Sequence, residues 1–426
     1  MSTSASFPDT AWTCPFCPLL CDEFALDTTT APVPALRGSD CPRALAALSQ
    51  HARRPPAAAA SACVDGVAAT VVDAIGEAAR RLATWRQPLF AGLGTDIAGA
   101  RALYRLAART GAICDHADGA ALMVGVRMQQ DRGQYTATLA EVRARADLVV
   151  CMGTTAVARF PEFFNRCELD GPGGPRPSLV FFGAPVPPGL PSDLDARTVA
   201  TQGDPFADLQ QLAALVALQR IERSRPELVA LAGQLRAARY AVLVWEPASL
   251  PAHGALWAEV LQRLVATLNR HTRAATLALG GGDGAASVNQ VFTWLSGLPL
   301  RTRAGPDGLE HEPLRFDAAR LLADRAVDGM LWISSFDPSR LPPVASTPGL
   351  PRIVLGPPGM AERLSVQHEA GDEVFIPVAT PGLNAAGHLF RTDGIVVVPL
   401  TAARDDGLAG VAQVLGRLLE RLGASP

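Results

Sequence analysis

The stretch QPLFAGLGTDIAGARALYRLAARTG, residues 87–111, sets the architecture of the chain. Its first part is a short apolar run stopped by Gly92 and Gly94, the pattern of a buried strand. Thr95 and Asp96 follow as helix-cap residues, and the apolar positions after them recur at helical spacing.

The same unit repeats on both sides. VAATVVDAIGEAARRLATW (67–85) reads as an amphipathic helix before it. ADLVVCMGTT (146–155), SLVFFGAP (178–185), RYAVLVWEP (239–247), TLALGGGDG (276–284), DGMLWISSFDP (328–338) and PRIVLGPPG (351–359) each pair a β-rich run with a Gly, Asp or Pro stop. Helical passages lie between them, among them 207–222, 254–272 and 284–297. Strands alternating with helices predict an α/β fold of two Rossmann-like parallel sheets covered on both faces, one near 61–200 and one near 230–370. The expected organisation is a Cys-rich segment at 1–60, α/β domains at 61–200 and 201–370, and a strand-rich segment at 371–426 that returns to the first domain and ends in a helix. RRPPAAAASA (53–62) reads as a linker.

Composition agrees with a packed interior. Of the 426 residues 48% are hydrophobic and 19% charged, enough apolar material for two or three domains. The net charge of -3 comes with no basic run, which makes nucleic acid and membrane surfaces poor candidate partners. All basic residues are Arg, a bias we ascribe to genome composition. MSTSASFPDTAWT (1–13) has no secretory character, and no apolar run approaches the roughly 18 residues of a membrane span. A cytoplasmic protein is expected, whose eight cysteines are ligands or core residues before they are disulfides. Cys151, within an apolar strand, is a core residue.

Ligands of parallel sheets gather where strands end and helix N-termini begin. The candidates for cofactor contact are therefore Gly92, Gly94 and Thr95, and Gly153, Thr154 and Thr155. The run Gly280-Gly281-Gly282-Asp283-Gly284 is a third such turn. None is a complete dinucleotide or P-loop motif, and plain turn chemistry accounts for glycine at each. Asn384 and His388 lie in a Gly/Ala-rich loop that admits close approach of a ligand, or is simply a surface turn.

Cys14-x2-Cys17-x3-Cys21, followed by Cys41, is the strongest chemical signal. Four thiolates of which three come from one short loop suit a [4Fe-4S] cube. The third cysteine arrives too soon for the paired C-x2-C of a zinc ribbon, although structural zinc and plain buried thiols remain open readings. Paired acids such as Asp22-Glu23, Asp372-Glu373 and Asp405-Asp406 are ordinary solvated or capping charges.

CPFCPLLCDEF (14–24), GTDIAGARALYRLAARTGAICDH (94–116), TATLAEVRARADLVVCMGTTAVARFPEF (136–163) and FRTDGIVVVPL (390–400) together resemble the B subunit of formylmethanofuran dehydrogenase, of the molybdopterin and tungstopterin oxidoreductases. The matches run in order along almost the whole chain. The resemblance implies a two-sheet fold holding two pyranopterin guanosine dinucleotides around tungsten or molybdenum, with a protein thiolate on the metal. That ligand would fall within HADGAALMVGVRMQQDRGQY (116–135), near Ala120 to Leu122, and there is no cysteine there. Cys114 lies too early, while Asp118 and His116 are the polar residues nearest the gap. Leu122, Met123, Val124, Met128 and Tyr135 are candidates to plug the emptied space. The resemblance therefore points to the B subunit of the formyltransferase/hydrolase complex of aerobic methylotrophs. Such a subunit is a non-redox scaffold in one-carbon metabolism, with the [4Fe-4S] cluster retained or a relic and the tungsten or molybdenum pterin absent. Its implied partners are amidohydrolase-like A and C subunits and a formyltransferase subunit. Two other readings compete: an active dehydrogenase subunit that reduces carbon dioxide, and an unrelated α/β binding domain.

Overall fold

The computed structural model describes residues 11–28, 33–51, 61–169, 176–250, 253–343, 349–367 and 372–423. The expected linker at 53–62 lies almost wholly outside them. The chain divides into two compact units, each made of separated segments. One comprises Met1–Gly119, Gly281–Arg391 and Val397–Pro426; the other comprises Ala120–Gly280 and Thr392–Val396.

The first unit is built on a nine-stranded mixed sheet. Its parallel centre runs Ile113–Cys114, Pro88–Gly94, Gly329–Ser334, Arg352–Gly356 and Glu373–Pro377. Short antiparallel hairpins finish each side, Thr302–Gly305 with Gly308–His311 on one and Ala62–Val64 with Val67–Ala69 on the other. Such hairpins blunt the open edges of the sheet. Helices cover both faces. Ile97–Thr110, Val71–Thr84 and Val411–Gly423 pack together on one of them. On the other, Leu321, Leu322, Met360 and Leu364 close over Leu89, Met330, Val354 and Phe375.

Local chemistry sets the helix ends. Asp96 accepts the Gly99 N–H at 2.9 Å, and Gly111 ends the same helix at φ 67°. Val67–Ala69, read from the sequence as part of a helix, is a strand, because Thr70 caps the helix that follows by accepting the Asp73 N–H at 3.1 Å.

The second unit carries a five-stranded parallel sheet in the order Arg273–Ala278, Tyr240–Trp245, Leu148–Met152, Ser178–Phe182, Ala196–Val199. Cys151 is buried in its centre, as expected of a core residue. Helices Pro205–Val216, Pro226–Ala237 and Gly254–Leu268 supply Leu209, Leu231 and Leu261 to one core with Trp245 and Met128. Each fully buried Leu is worth roughly 1.5–3 kcal/mol over an exposed one.

Both large sheets were expected, but their membership differs from the contiguous blocks 61–200 and 201–370. Pro88–Gly94 pairs with Gly329–Ser334, and Leu148–Met152 pairs with Tyr240–Trp245. The 371–426 segment joins the unit of the first strand, apart from 392–396.

Candidate functional site: the carboxyl ends of the two sheets

Strand order places the candidate turns. In the larger sheet the chain steps from Pro88–Gly94 to Ile113–Cys114 on one side, while Gly329–Ser334 and the strands after it build the other. In the smaller sheet it steps from Leu148–Met152 toward Ser178–Phe182, then returns to lay Tyr240–Trp245 on the opposite side. Each sheet thus has a topological switch point, where ligands of open α/β sheets bind. Gly92, Gly94 and Thr95 end a strand at the first switch point, and Gly153, Thr154 and Thr155 end one at the second.

At the first, backbone runs close against backbone. A side chain on Gly92 (φ 74°) would meet the Ile333 carbonyl at 2.6 Å and the Trp332 indole at 2.9 Å. Ser335 donates its N–H to the Gly94 carbonyl at 2.7 Å. The loop at Asp283 closes over this turn: a side chain on Gly94 would lie 2.9 Å from both Asp283 carboxylate oxygens. Asp283 sits 3.2 Å from Arg340 Nη1, and Arg340 Nη2 donates to Asp118 at 3.1 Å. Burial still pushes Asp283 up to about 7, against the pull of Arg340. His116 accepts the Asp118 N–H on Nδ1 at 2.9 Å, so its proton is on Nε2, which donates to the Asp283 carbonyl at 3.1 Å. Burial pulls His116 down to about 4, which keeps it neutral. Thr95 Oγ1 and Ser335 Oγ, on the residues that follow the two paired strands, are buried without hydrogen-bond partners among the described residues.

These polar atoms would suit a polar ligand, but the charges do not suit a pterin dinucleotide. Arg340 already stands between two carboxylates, so a buried diphosphate here would face both Asp118 and Asp283. Asp118, held by Arg340, is not free to replace a missing thiolate. Of the residues expected to plug the space, Met123 and Met128 are buried and Val124 packs on the core of the second unit, whereas Tyr135 is 48% exposed and plugs nothing.

At the second switch point Thr154 takes part in two bonds. Its hydroxyl donates to Glu246 Oε1 and accepts the Ala156 N–H at 2.8 Å. Glu246 is buried, its carboxyl is raised by desolvation, and Arg159 stands 3.7 Å from Oε2. The sequence reading missed Glu246; the signal was an acid directly after the buried run Ala241–Trp245.

Asn384 is structural. Its Oδ1 accepts the Thr380 N–H at 2.6 Å and its Nδ2 donates to Asp406 at 3.0 Å. His388 lies exposed on the hairpin Gly387–Phe390 with Val397–Leu400.

Cys14, Cys17, Cys21 and Cys41 are all buried, in one hairpin-like loop and at the start of the helix Pro42–Gln50. The loop closes on itself through Cys14 N–H to the Cys21 carbonyl at 2.9 Å. It is docked by the Trp12 indole N–H on the Gly382 carbonyl at 2.6 Å. Burial pushes the Cys14 thiol well up, and Cys17, Cys21 and Cys41 all add to the rise, so the other three sulfurs lie within electrostatic reach of Cys14. Among the described residues no three His, Cys, Asp or Glu side chains converge to hold a single metal ion. Four thiolates is the donor count that either a four-iron cube or a zinc ion takes.

No protein-family model matches the chain. It is 30% identical over 377 residues to the B subunit of the formyltransferase/hydrolase complex Fhc of Methylorubrum extorquens, covering 85% of this chain and 99% of that one. The chain belongs to the family of Fhc B subunits. A crystal structure of the formyltransferase/hydrolase complex FhcABCD from the same organism, in complex with methylofuran, agrees at a TM-score of 0.74 and 29% identity. That match covers 85% of this chain and all of the other. The α/β fold with a Cys-rich N-terminal segment is thus that of the Fhc B subunit. Among the described residues no helix is long and apolar enough to cross a membrane.

Proposed function

We propose that this chain is the B subunit of a cytoplasmic formyltransferase/hydrolase complex in one-carbon metabolism, a non-redox scaffold that assembles with amidohydrolase-like A and C subunits and a formyltransferase subunit. One observation carries this reading: a near-full-length relative among the Fhc B subunits combined with the absence of any thiol near Ala120 to Leu122, where the dehydrogenases place their metal ligand. The carboxylates at the first switch point support it, because they oppose a pterin diphosphate. Formyl transfer and hydrolysis then belong to the partner subunits. Cys14, Cys17, Cys21 and Cys41 would hold a [4Fe-4S] cluster, whose chemistry when bound is one-electron transfer.

The test is co-expression with the three other subunits, followed by elemental analysis of the purified complex. The expected result is a four-subunit assembly with about four iron and four sulfide for each copy of this chain and neither tungsten nor molybdenum. Stoichiometric tungsten or molybdenum with pterin would establish the active dehydrogenase instead. A stable monomer that ignores all three partners would establish an unrelated binding domain.

A further inference from the structure

On the first unit, the helices Ile97–Thr110 and Ala285–Ser296 lie side by side. Tyr104 packs edge-on against Phe292 at 5.4 Å, and its hydroxyl reaches the Leu295 carbonyl at 3.5 Å. Next to Leu295, itself 46% exposed, Trp294 leaves 60% of its surface in solvent. The indole does not swing freely, because it rests edge-on against Phe390 at 5.1 Å. An ordered, half-exposed Trp loses little entropy when a partner covers it.

Beside this strip is a narrow apolar cleft lined by Tyr104, Ala108, Phe292 and Leu309, with about 10 Å³ of free volume. That is room for one group the size of a methyl or a water, and its walls offer water almost nothing to bond.

The polar side of the same helix carries one sign. Arg101, Arg105 and Arg109 recur every fourth residue, all exposed, and none makes an ion pair or hydrogen bond among the described residues. Some helix arginines elsewhere find acids one turn away, as Arg263 does with Glu259 at 2.6 Å. Three guanidinium groups without a partner among the described residues thus line the helix next to the one that carries the exposed Trp294. Trp, Tyr and Arg are also the residue types that carry most interface energy.

We propose that this face docks an acidic surface of a partner subunit: carboxylates meet Arg101, Arg105 and Arg109, and apolar side chains cover Trp294 and enter the cleft beside Tyr104. The inference rests on the reading of the chain as a subunit of a larger complex. The charge complement commits the occupant to an acidic protein surface, since a second copy of the chain would bring the same arginines and repel.

The experiment uses the full chain with the three other subunits, measuring assembly by co-purification and affinity by biolayer interferometry at low and high salt. W294A is expected to weaken binding about 30-fold, the size of an interfacial Trp hot spot. R101E/R105E is expected to weaken it by about 10-fold or more at low salt, with a smaller loss at high salt, while R101K/R105K binds nearly as wild type. These positions are exposed, so thermal unfolding of each variant should match the wild type. Equal affinities for wild type, W294A and R101E/R105E would overturn the proposal. So would variants that change only self-association of the isolated chain. A wild-type chain that assembles with none of the subunits overturns the subunit reading and this inference together, whereas wild-type assembly with insensitive variants overturns this inference alone.

Discussion

Asp283 and His116 pull the stability of the first unit in opposite directions as pH changes, and Asp283→Asn should separate them. Asp283 titrates near 7 in the folded chain against 3.8 when exposed, because burial disfavours its charge. An acid with a raised folded pKa keeps a proton in the native chain that the unfolded chain has released. Its stabilising contribution is complete below about pH 4 and is lost as pH rises through about 7. At 1.36 kcal/mol per pH unit, the ceiling on that loss is about 4 kcal/mol. His116, depressed from 6.5 to about 4, does the reverse: its contribution is present above 6.5 and is lost as pH falls through about 4. Between pH 4 and 7 the two nearly cancel. Asn at 283 keeps the shape and removes the carboxylate, while Arg340 retains Asp118 as its partner. The variant should match wild type near pH 4.5 and be more stable by about 2–4 kcal/mol at pH 8, with a steeper rise across the interval. Urea denaturation at pH 4.5, 6 and 8, followed by tryptophan fluorescence, measures this. A difference that does not vary with pH, or a variant less stable at pH 8, would refute the reasoning.

Three further substitutions probe the frame around the switch points. Arg301 is buried against Asp115 at 3.3 Å and also pairs with Asp317. Arg301→Met should therefore cost about 3–5 kcal/mol by stranding a buried acid, and cost less at pH 5, where Asp115, already pushed up to about 6 by burial, takes a proton. Urea midpoints at the two pH values test that. Gly92→Ala forces a side chain into a left-handed backbone at φ 74° and against Ile333 and Trp332, so a loss of roughly 2–4 kcal/mol is expected in the same assay. Thr138→Ala removes the capping box with Glu141 at the start of Leu139–Arg145 and should cost about 1 kcal/mol, read as a small fall in melting temperature.

The elements legible in the sequence were those whose signal is local. The strand and capped helix at 87–111, the buried runs near Leu148, Tyr240 and Gly329, and the terminal helix Val411–Gly423 all announce themselves by periodicity and caps. Which strands share a sheet was not legible, because the pairing of Pro88–Gly94 with Gly329–Ser334 joins distant parts of the chain and leaves no periodic trace. The hairpin Thr302–Gly305 with Gly308–His311 was missed because four-residue strands carry too little pattern. At the candidate site, glycines and threonines at strand ends were visible as turn chemistry. Asp283 was seen only as part of a glycine run and Glu246 not at all, since what distinguishes each acid is burial at a strand end, a property of the fold.

If the subunit binds no pterin, as proposed, the two switch points account for how it keeps this architecture without a cofactor's binding energy. An empty crevice the size of a dinucleotide would cost about 24 cal/mol for each Å³ of void if it stayed dry. The chain instead lays its own polar groups across each crevice. At the first, the Asp283 loop closes on Gly94, and Arg340 joins Asp283 to Asp118. At the second, Glu246 takes the Thr154 hydroxyl and faces Arg159. Each arrangement puts a buried carboxylate at a strand end, where a phosphate would call for free N–H groups and positive charge. Restoring a cysteine near Ala121 would therefore not by itself restore a pterin site, because the acids at the strand ends would still repel the diphosphate. An A121C variant purified from cells making tungstopterin should remain free of tungsten, and the double variant A121C/E246Q should be the first to retain any, by elemental analysis after gel filtration. Tungsten bound by A121C alone would show that the missing thiolate, and not the buried carboxylates, is what keeps the metal out.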